Sequence, residues 1–256
     1  MTCRLRRDRA AGIAGAFLLA ILAAVFAPLA SAQSLVVTST ADSGAGSLRA
    51  AILASYLIDG CTGGVITFDI PGTGPHTISP QTELEPLGCN ASINGYSQPG
   101  AAVNTDTGGT NNANIQVIID GSGCTGCNGL VVSGSGVTIK GLSIHSFSGT
   151  DKAGIRMAGG TANIYGNYLG TDPGGSTAFG NGYGVRVDSG SATIGYPADA
   201  SLRNLITGNP RWPEREPGPG PRQSRHGEPR HQFDLRDRTI ASGRRHGESA
   251  LVLAHT

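Results

Sequence analysis

The sequence predicts an all-β fold in which the chain winds as a solenoid, and three observations carry that prediction. Glycine supplies 33 of the 177 residues between positions 33 and 209, about one in five. Between the glycines lie short β-branched runs such as Val65-Ile66-Thr67-Phe68, Ile115-Gln116-Val117-Ile118-Ile119 and Val137-Thr138-Ile139, the pattern of short strands separated by tight turns. A phrase of the form Gly-apolar-x-apolar then recurs at Gly129-Leu130-Val131-Val132, Gly154-Ile155-Arg156-Met157 and Gly184-Val185-Arg186-Val187. A recurrence of this kind is the mark of a repeat architecture.

Each run is three to five residues long, and alternation turns its apolar side chains to one side. One unit cannot bury that side alone. Stacked units would place Leu130 beneath Ile155 and Val185, and Val132 beneath Met157 and Val187, with neighbours about 4.8 Å apart. Ile139, Ile164 and Ile194 each fall ten residues after the phrase's glycine and form a third stack. Together the stacks make one continuous core, which is the logic of a solenoid. Glycines mark corners where the backbone needs positive φ. Thr171 to Tyr183 reads as a loop that bulges outward. Leucine-rich repeats, the competing architecture, want a shorter period with Leu and Asn at fixed places, and neither is present.

Upstream, Ser47 to Tyr56 carries Leu48, Ile52, Leu53 and Tyr56 at helical spacing. So short a helix is marginal alone, so it is expected to lie across the open end of the first unit, shielding it as a terminal cap does. The flanks differ in charge. Residues 1–32 carry four Arg and one Asp, followed by an apolar, alanine-rich run and Ala30-Ser31-Ala32. This reads as an export signal cleaved before Gln33, with no membrane span after its removal. Residues 33–209 carry six Lys/Arg against eleven Asp/Glu, and no nucleic-acid partner is expected. Residues 210–256 hold nine Arg, no Lys, six Pro and four His. A segment of that composition is expected to form a disordered basic tail. The abrupt change after Asn209 also fits a shift of reading frame near that point. The low charge, 14% overall, excludes a coiled coil or a charged helical bundle.

Export places Cys61, Cys89, Cys124 and Cys127 in an oxidising compartment. Four cysteines allow three pairings, of which Cys61–Cys89 with Cys124–Cys127 is favoured. Cys124-Thr-Gly-Cys127 lacks the preceding strand-to-helix unit of a redox motif, and the outer cysteines lack the paired spacing of a zinc site.

The Gly-apolar-x-apolar phrase, Ile164-Tyr165-Gly166-Asn167 with its echo Ile206-Thr207-Gly208-Asn209, and Gly166-Asn167-Tyr168-Leu169-Gly170-Thr171-Asp172 resemble secreted bacterial right-handed parallel β-helix proteins of the pectin-lyase-like fold. Leu35-Val36-Val37-Thr38, the Asp42 to Ile52 stretch, Ile66 to Gly72 and Ile93 to Gly100 fit the same group. The resemblance covers about 35–209 and implies a right-handed parallel β-helix with a helical N-terminal cap; residues 210–256 depart from it. It implies little about function, since this fold carries lyases, hydrolases, adhesins and inert shafts. Lyases on it combine calcium-holding aspartates with an Arg or Lys base, and hydrolases use clustered aspartates as acid and base.

The acids in this chain are scattered along the sequence. The best outward constellation is Arg156 and Arg186, third in their phrases and so one unit apart, with Asp188 on the same face and Lys140 at the next corner. Two like charges so close call for an offset from Asp188, solvent or an acidic ligand, and guanidinium–carboxylate pairing suits an acidic glycan. Asn167 and Asn209 are expected to stack inward at a corner, sealing backbone polar groups. His76 and His145 read as surface or turn residues. The loop Asp106-Thr107-Gly108-Gly109-Thr110-Asn111-Asn112 is oxygen-rich in the manner of a calcium site but lacks a bidentate Glu and regular ligand spacing, so it reads as a plain loop, and no cofactor and no metal ligand are assigned. The function expected is that of an exported, non-catalytic scaffold binding extracellular glycan or surface material. A polysaccharide lyase or hydrolase, or the remnant of a longer β-helix, are the alternatives.

Overall fold

A computed structural model describes residues 35–57, 64–88, 90–196 and 199–210, and the backbone of 238–245 and 248–254. Along the chain come β1 (Val36–Val37), α1 (Leu48–Ser55), β2 (Val65–Phe68), β3 (His76–Ile78), β4 (Ser92–Asn94) and β5 (Val117–Asp120). They are followed by β6 (Leu130–Val132), β7 (Val137–Lys140), β8 (Leu142–His145), β9 (Ala153–Met157), β10 (Thr161–Tyr165) and β11 (Tyr168–Leu169). Last are β12 (Tyr183–Val187), β13 (Ser191–Ile194), β14 (Leu205–Ile206), β15 (Arg238–Arg245) and β16 (Glu248–Ala254).

The strands form three sheets. The first runs β1-β2-β4-β7-β10-β13 in parallel and ends on β15-β16; the second is β3-β5-β8-β11-β14; the third is β6-β9-β12. From β4 to β14 the chain visits the first, second and third sheets in strict rotation. The all-β, parallel architecture expected from the sequence is therefore present.

Register puts like on like. Ile66, Ile93, Ile139, Ile164 and Ile194 pair successively across the first sheet. Ile78, Ile119, Ile144, Leu169 and Ile206 do so across the second. In the third, Leu130–Ile155–Val185 and Val132–Met157–Val187 pair as the repeat phrase predicts. All four columns feed one core, in which Ile93, Ile139 and Ile164 are fully buried. Full burial of one such side chain contributes about 1.5–3 kcal/mol.

The corners are polar and satisfied. Gly166 has φ +60°, and a Cβ there would lie 2.7 Å from the Tyr96 hydroxyl, which donates to the Gly166 carbonyl at 2.6 Å. The turn lets Asn167 point inward. Its Nδ2 donates to Ile139 O (2.9 Å) and its Oδ1 accepts from Leu142 N (3.1 Å). Asn204 repeats the pattern one strand later, donating to Ile164 O (2.7 Å) and accepting from Asn167 N (2.9 Å). The sequence suggested that Asn167 and Asn209 share one stack, and they do not. Asn209 pairs with Asn181 at the corner between the second and third sheets, accepting from Asn181 N (3.0 Å) and donating to Leu169 O (2.9 Å). Ile164-Tyr165-Gly166-Asn167 and Ile206-Thr207-Gly208-Asn209 look alike because both follow a strand with a left-handed glycine and an inward asparagine, yet the first follows a first-sheet strand and the second a second-sheet strand.

At the N-terminal end, α1 is capped by Ser47, whose Oγ accepts from Ala50 N. Leu48 and Ile52 are fully buried against β1 and β2, whereas Leu53 and Tyr56 are exposed, so the helix buries a narrower stripe than its spacing suggested. Alanines 51 and 54 fill the remaining contact. Arg49 ties the helix to the chain beyond it. Its guanidinium meets Asp42 Oδ1 (2.9 Å), Thr82 O (3.0 Å), Glu83 O (3.0 Å) and Glu85 Oε2 (3.3 Å). This guanidinium, hydrogen-bonded to Asp42, holds that carboxyl below its ordinary range.

Two expectations about cysteines and tail divide. Cys124 and Cys127 are disulfide-bonded and buried, while Cys61 and Cys89 lie outside the described residues, as does the export signal. The tail was expected to be disordered throughout, but β15 and β16 form an antiparallel hairpin on β13. The physical reason lies in the edge of β13, whose backbone groups an added strand satisfies.

If the isoleucine column carries the fold, Ile139→Ala should cost about 2–5 kcal/mol, the range for truncating a well-packed aliphatic residue. Urea unfolding followed by circular dichroism reads this directly; a loss below about 1 kcal/mol would show that the column is not under packing constraint.

Candidate functional site

The third sheet has an inner and an outer face. Ile155, Met157 and Val185 turn inward, so Arg156 and Arg186 between them turn outward, paired in register on adjacent strands. Val131 precedes them in the same column. Asp188, just past the end of β12, supplies the offset that two neighbouring guanidinium groups require. Its Oδ2 accepts from Arg156 Nε at 2.6 Å and its Oδ1 from Arg186 Nε at 2.7 Å. Arg186 Nη1 also donates to Asp151 O at 2.8 Å, and Arg186 lies 5.7 Å from the centre of the Tyr183 ring.

One carboxylate thus bridges two cations and fixes both by their Nε edges. The Nη edge of Arg156 has no hydrogen-bond partner among the described residues, and its side chain is 36% exposed. Asp151 Oδ1 also lies 3.4 Å from Arg186 Nη1, so two carboxylates balance the two guanidinium groups, and the arrangement presents the pre-oriented Nη donors of Arg156 outward, which is what recognition of an acidic group needs.

Lys140 does not join this group. It lies in the first sheet, flanked by Asn94 and Tyr165, because it follows Ile139 rather than a Gly-apolar-x-apolar glycine. Arg156, Arg186 and Asp188 come together; Lys140 stands apart.

The oxygen-rich loop has its own internal cation. Arg203 Nη1 donates to Asp106 O (3.0 Å) and Thr110 O (2.7 Å). Asp106 accepts from Gly108 N at 2.6 Å and from the Thr110 hydroxyl, while Asn112 Oδ1 accepts from Thr105 N at 2.8 Å. The oxygens that suggested calcium therefore face Arg203 and the loop's own donors, a partner about 95 residues away in sequence that spacing alone does not reveal.

His145 is the residue that sequence reasoning placed least well. Expected on the surface, it is buried at 9% exposure on β8, in register with Asp120 of β5. Its Nδ1 lies 2.9 Å from Ser146 Oγ and 3.4 Å from Asp120 Oδ1, and its ring packs 5.2 Å from that of Phe179. Burial pushes the imidazole below its ordinary pKa, against the pull of Asp120 and of Asp172. Burial would raise Asp120, but the Ser122 hydroxyl and N–H outweigh it and hold this carboxyl below its ordinary range. Alternation along Ile144-His145-Ser146 hints at an outward histidine; the loop carrying Phe179, which covers it, is far away in sequence. His76 is also buried, at the N-terminus of β3, where its N–H donates to Gln116 O at 2.8 Å. Among the described residues no group of three or more His, Cys, Asp or Glu side chains is placed to hold a metal ion.

No family model, curated protein or solved structure matches the chain.

The histidine makes stability depend on pH. A folded-state pKa below the unfolded value means that the unfolded chain binds the extra proton first. Stability is therefore complete above the ordinary histidine range and falls as pH drops through it. Thermal midpoints measured from neutral to mildly acidic pH should show that fall, and His145→Gln should flatten it. An unchanged pH slope in the variant would assign the dependence to other groups.

Proposed function

We propose that this chain is an exported right-handed parallel β-helix, of the pectin-lyase-like kind it resembles in sequence, that works as a non-catalytic scaffold binding an acidic extracellular glycan along its third sheet. The rotation of the chain through three parallel sheets supports the helical reading. Crossovers between parallel strands are right-handed in about 98% of cases, which supports the hand. The observation that carries the function is the Arg156–Asp188–Arg186 bridge, which aims guanidinium donors outward from a rigid strand pair. Carboxylates of a uronic acid chain suit those donors in charge and planarity.

The scaffold reading is favoured over catalysis because the acids that a lyase or hydrolase would draw on are engaged elsewhere. Asp42 holds Arg49, Asp172 caps its own turn through Ser176 and Thr177, and Asp188 holds the arginines. Rigid placement on strands, rather than loops, also limits the entropy that binding must overcome.

Binding to polygalacturonate and alginate, measured by calorimetry, tests the site. Arg156→Ala and Arg186→Ala should each weaken binding roughly tenfold or more, since a charge-assisted hydrogen bond contributes about 1.5–3 kcal/mol, and added salt should weaken it further. Unchanged affinity in the double variant would remove the arginine face from the interaction. Absorbance from an unsaturated product would instead reassign the chain to polysaccharide lysis.

A further inference from the structure

The arginine pair on the third sheet is electrically balanced. Arg156 and Arg186 carry two positive charges, and Asp188 and Asp151 carry two negative ones. A balanced cluster recognises an anion only where a guanidinium edge is open or where one of its carboxylates gives way. The Nη edge of Arg156 is open. Arg186 Nη1 is not, because Asp151 stands beside it.

The two carboxylates are held very differently. The Asp188 side chain is 20% exposed and accepts two short hydrogen bonds, from Arg156 Nε at 2.6 Å and from Arg186 Nε at 2.7 Å. Its backbone N–H donates to Met157 O at 2.9 Å, which ties it to β9. Asp151 lies in the turn between β8 and β9, and its side chain is 69% exposed. Its Oδ1 is 3.4 Å from Arg186 Nη1, outside the range of about 2.7–2.9 Å of a charge-assisted hydrogen bond. The Asp151 carboxylate accepts no hydrogen bond among the described residues. The backbone carbonyl of Asp151, by contrast, accepts from the same Nη1 at 2.8 Å. Rotation of the Asp151 side chain about its Cα–Cβ bond would thus break one loose, solvent-screened ion pair. Arg186 would stay oriented by Asp188, by the Asp151 carbonyl and over the Tyr183 ring.

We infer that Asp151 is a built-in stand-in for a ligand carboxylate. It occupies Arg186 until an acidic ligand engages both arginines at once, with one acidic group on the Nη edge of Arg156 and the next on Arg186 in place of Asp151. This rests on the glycan reading and narrows the ligand to a chain of closely spaced acidic groups. Arg156 and Arg186 are paired on neighbouring strands, which lie about 4.8 Å apart. Tethered to the same chain, the Asp151 carboxylate meets Arg186 at an effective concentration in about the millimolar range. A single acid at far lower concentration does not displace it. A polymer already held at Arg156 presents its next acidic group at a comparable effective concentration, and does.

Calorimetric binding of polygalacturonate to the full chain tests this. Asp151→Asn keeps the backbone carbonyl and the size of the side chain. It should tighten binding about three- to fivefold, the range set by an exposed ion pair. In an Arg186→Ala background the same substitution should change nothing. A gain that persists without Arg186 is a long-range charge effect and would overturn the proposal. Unchanged affinity in Asp151→Asn, with Arg156→Ala still weakening binding, would also overturn it while leaving the glycan reading in place. Inorganic sulfate separates the two ideas from the other side. At millimolar sulfate, with chloride at equal ionic strength as the reference, the thermal midpoint should rise more in Asp151→Asn than in the unsubstituted chain, and Arg186→Ala should abolish the difference. That response without any polygalacturonate binding would sink the glycan reading and keep the displaceable carboxylate. Neither a sulfate response nor polygalacturonate binding in any of the variants would overturn both.

Discussion

The structure depends on one constraint: equivalent aliphatic side chains on successive parallel strands must lie in register so that each shields the next from water. The strands β1 to β14 are two to five residues long, too short to bury a useful area alone. Stability must then come from columns that run perpendicular to the chain. Ile93, Ile139 and Ile164 illustrate the point, since each pairs with two other isoleucines that lie far away in sequence. A slip of one residue in any strand would turn its isoleucine outward and bring a Thr, Asn or Lys into the core.

Burial on that scale obliges the corners to be resolved. Where the chain leaves one sheet and enters the next, backbone groups turn inward with no strand to meet them, and a buried unpaired group costs about 1–3 kcal/mol. The asparagine ladders answer this requirement by letting one side chain serve both the carbonyl of an earlier strand and the amide of a later one. Glycine at positive φ makes the turn that permits it, so glycine and asparagine appear as neighbours for a joint reason. Arg49 and Arg203 do for two loops what the asparagines do for corners: each brings several backbone carbonyls under one guanidinium.

Much of this was legible in the sequence because the columns repeat. Gly-apolar-x-apolar gave Leu130, Ile155 and Val185 their register, and the isoleucine ten residues on located the first sheet. Arg156 and Arg186 were found the same way, as the outward residue between two inward ones. What escaped was whatever depends on contacts between unlike segments. Lys140 follows a strand of another sheet; Asn167 and Asn209 share a phrase but not a corner; His145 is covered by a loop more than 30 residues away. Periodicity records which residues are equivalent, whereas those positions are set by residues that have no equivalent.

The same division explains why the outer face of the third sheet can carry a recognition surface at little cost to the fold. Inward positions are fixed by packing, so substitution there is felt throughout a column. Outward positions on β9 and β12 answer only to solvent and to their neighbours on the face. Two guanidinium groups one strand apart would repel if left alone, and the carboxylate of Asp188 binds both through Nε. That bond orders the side chains in advance and leaves the Nη edge of Arg156 directed outward. The fold supplies spacing and rigidity; Asp188 turns two mutually repelling charges into one oriented site.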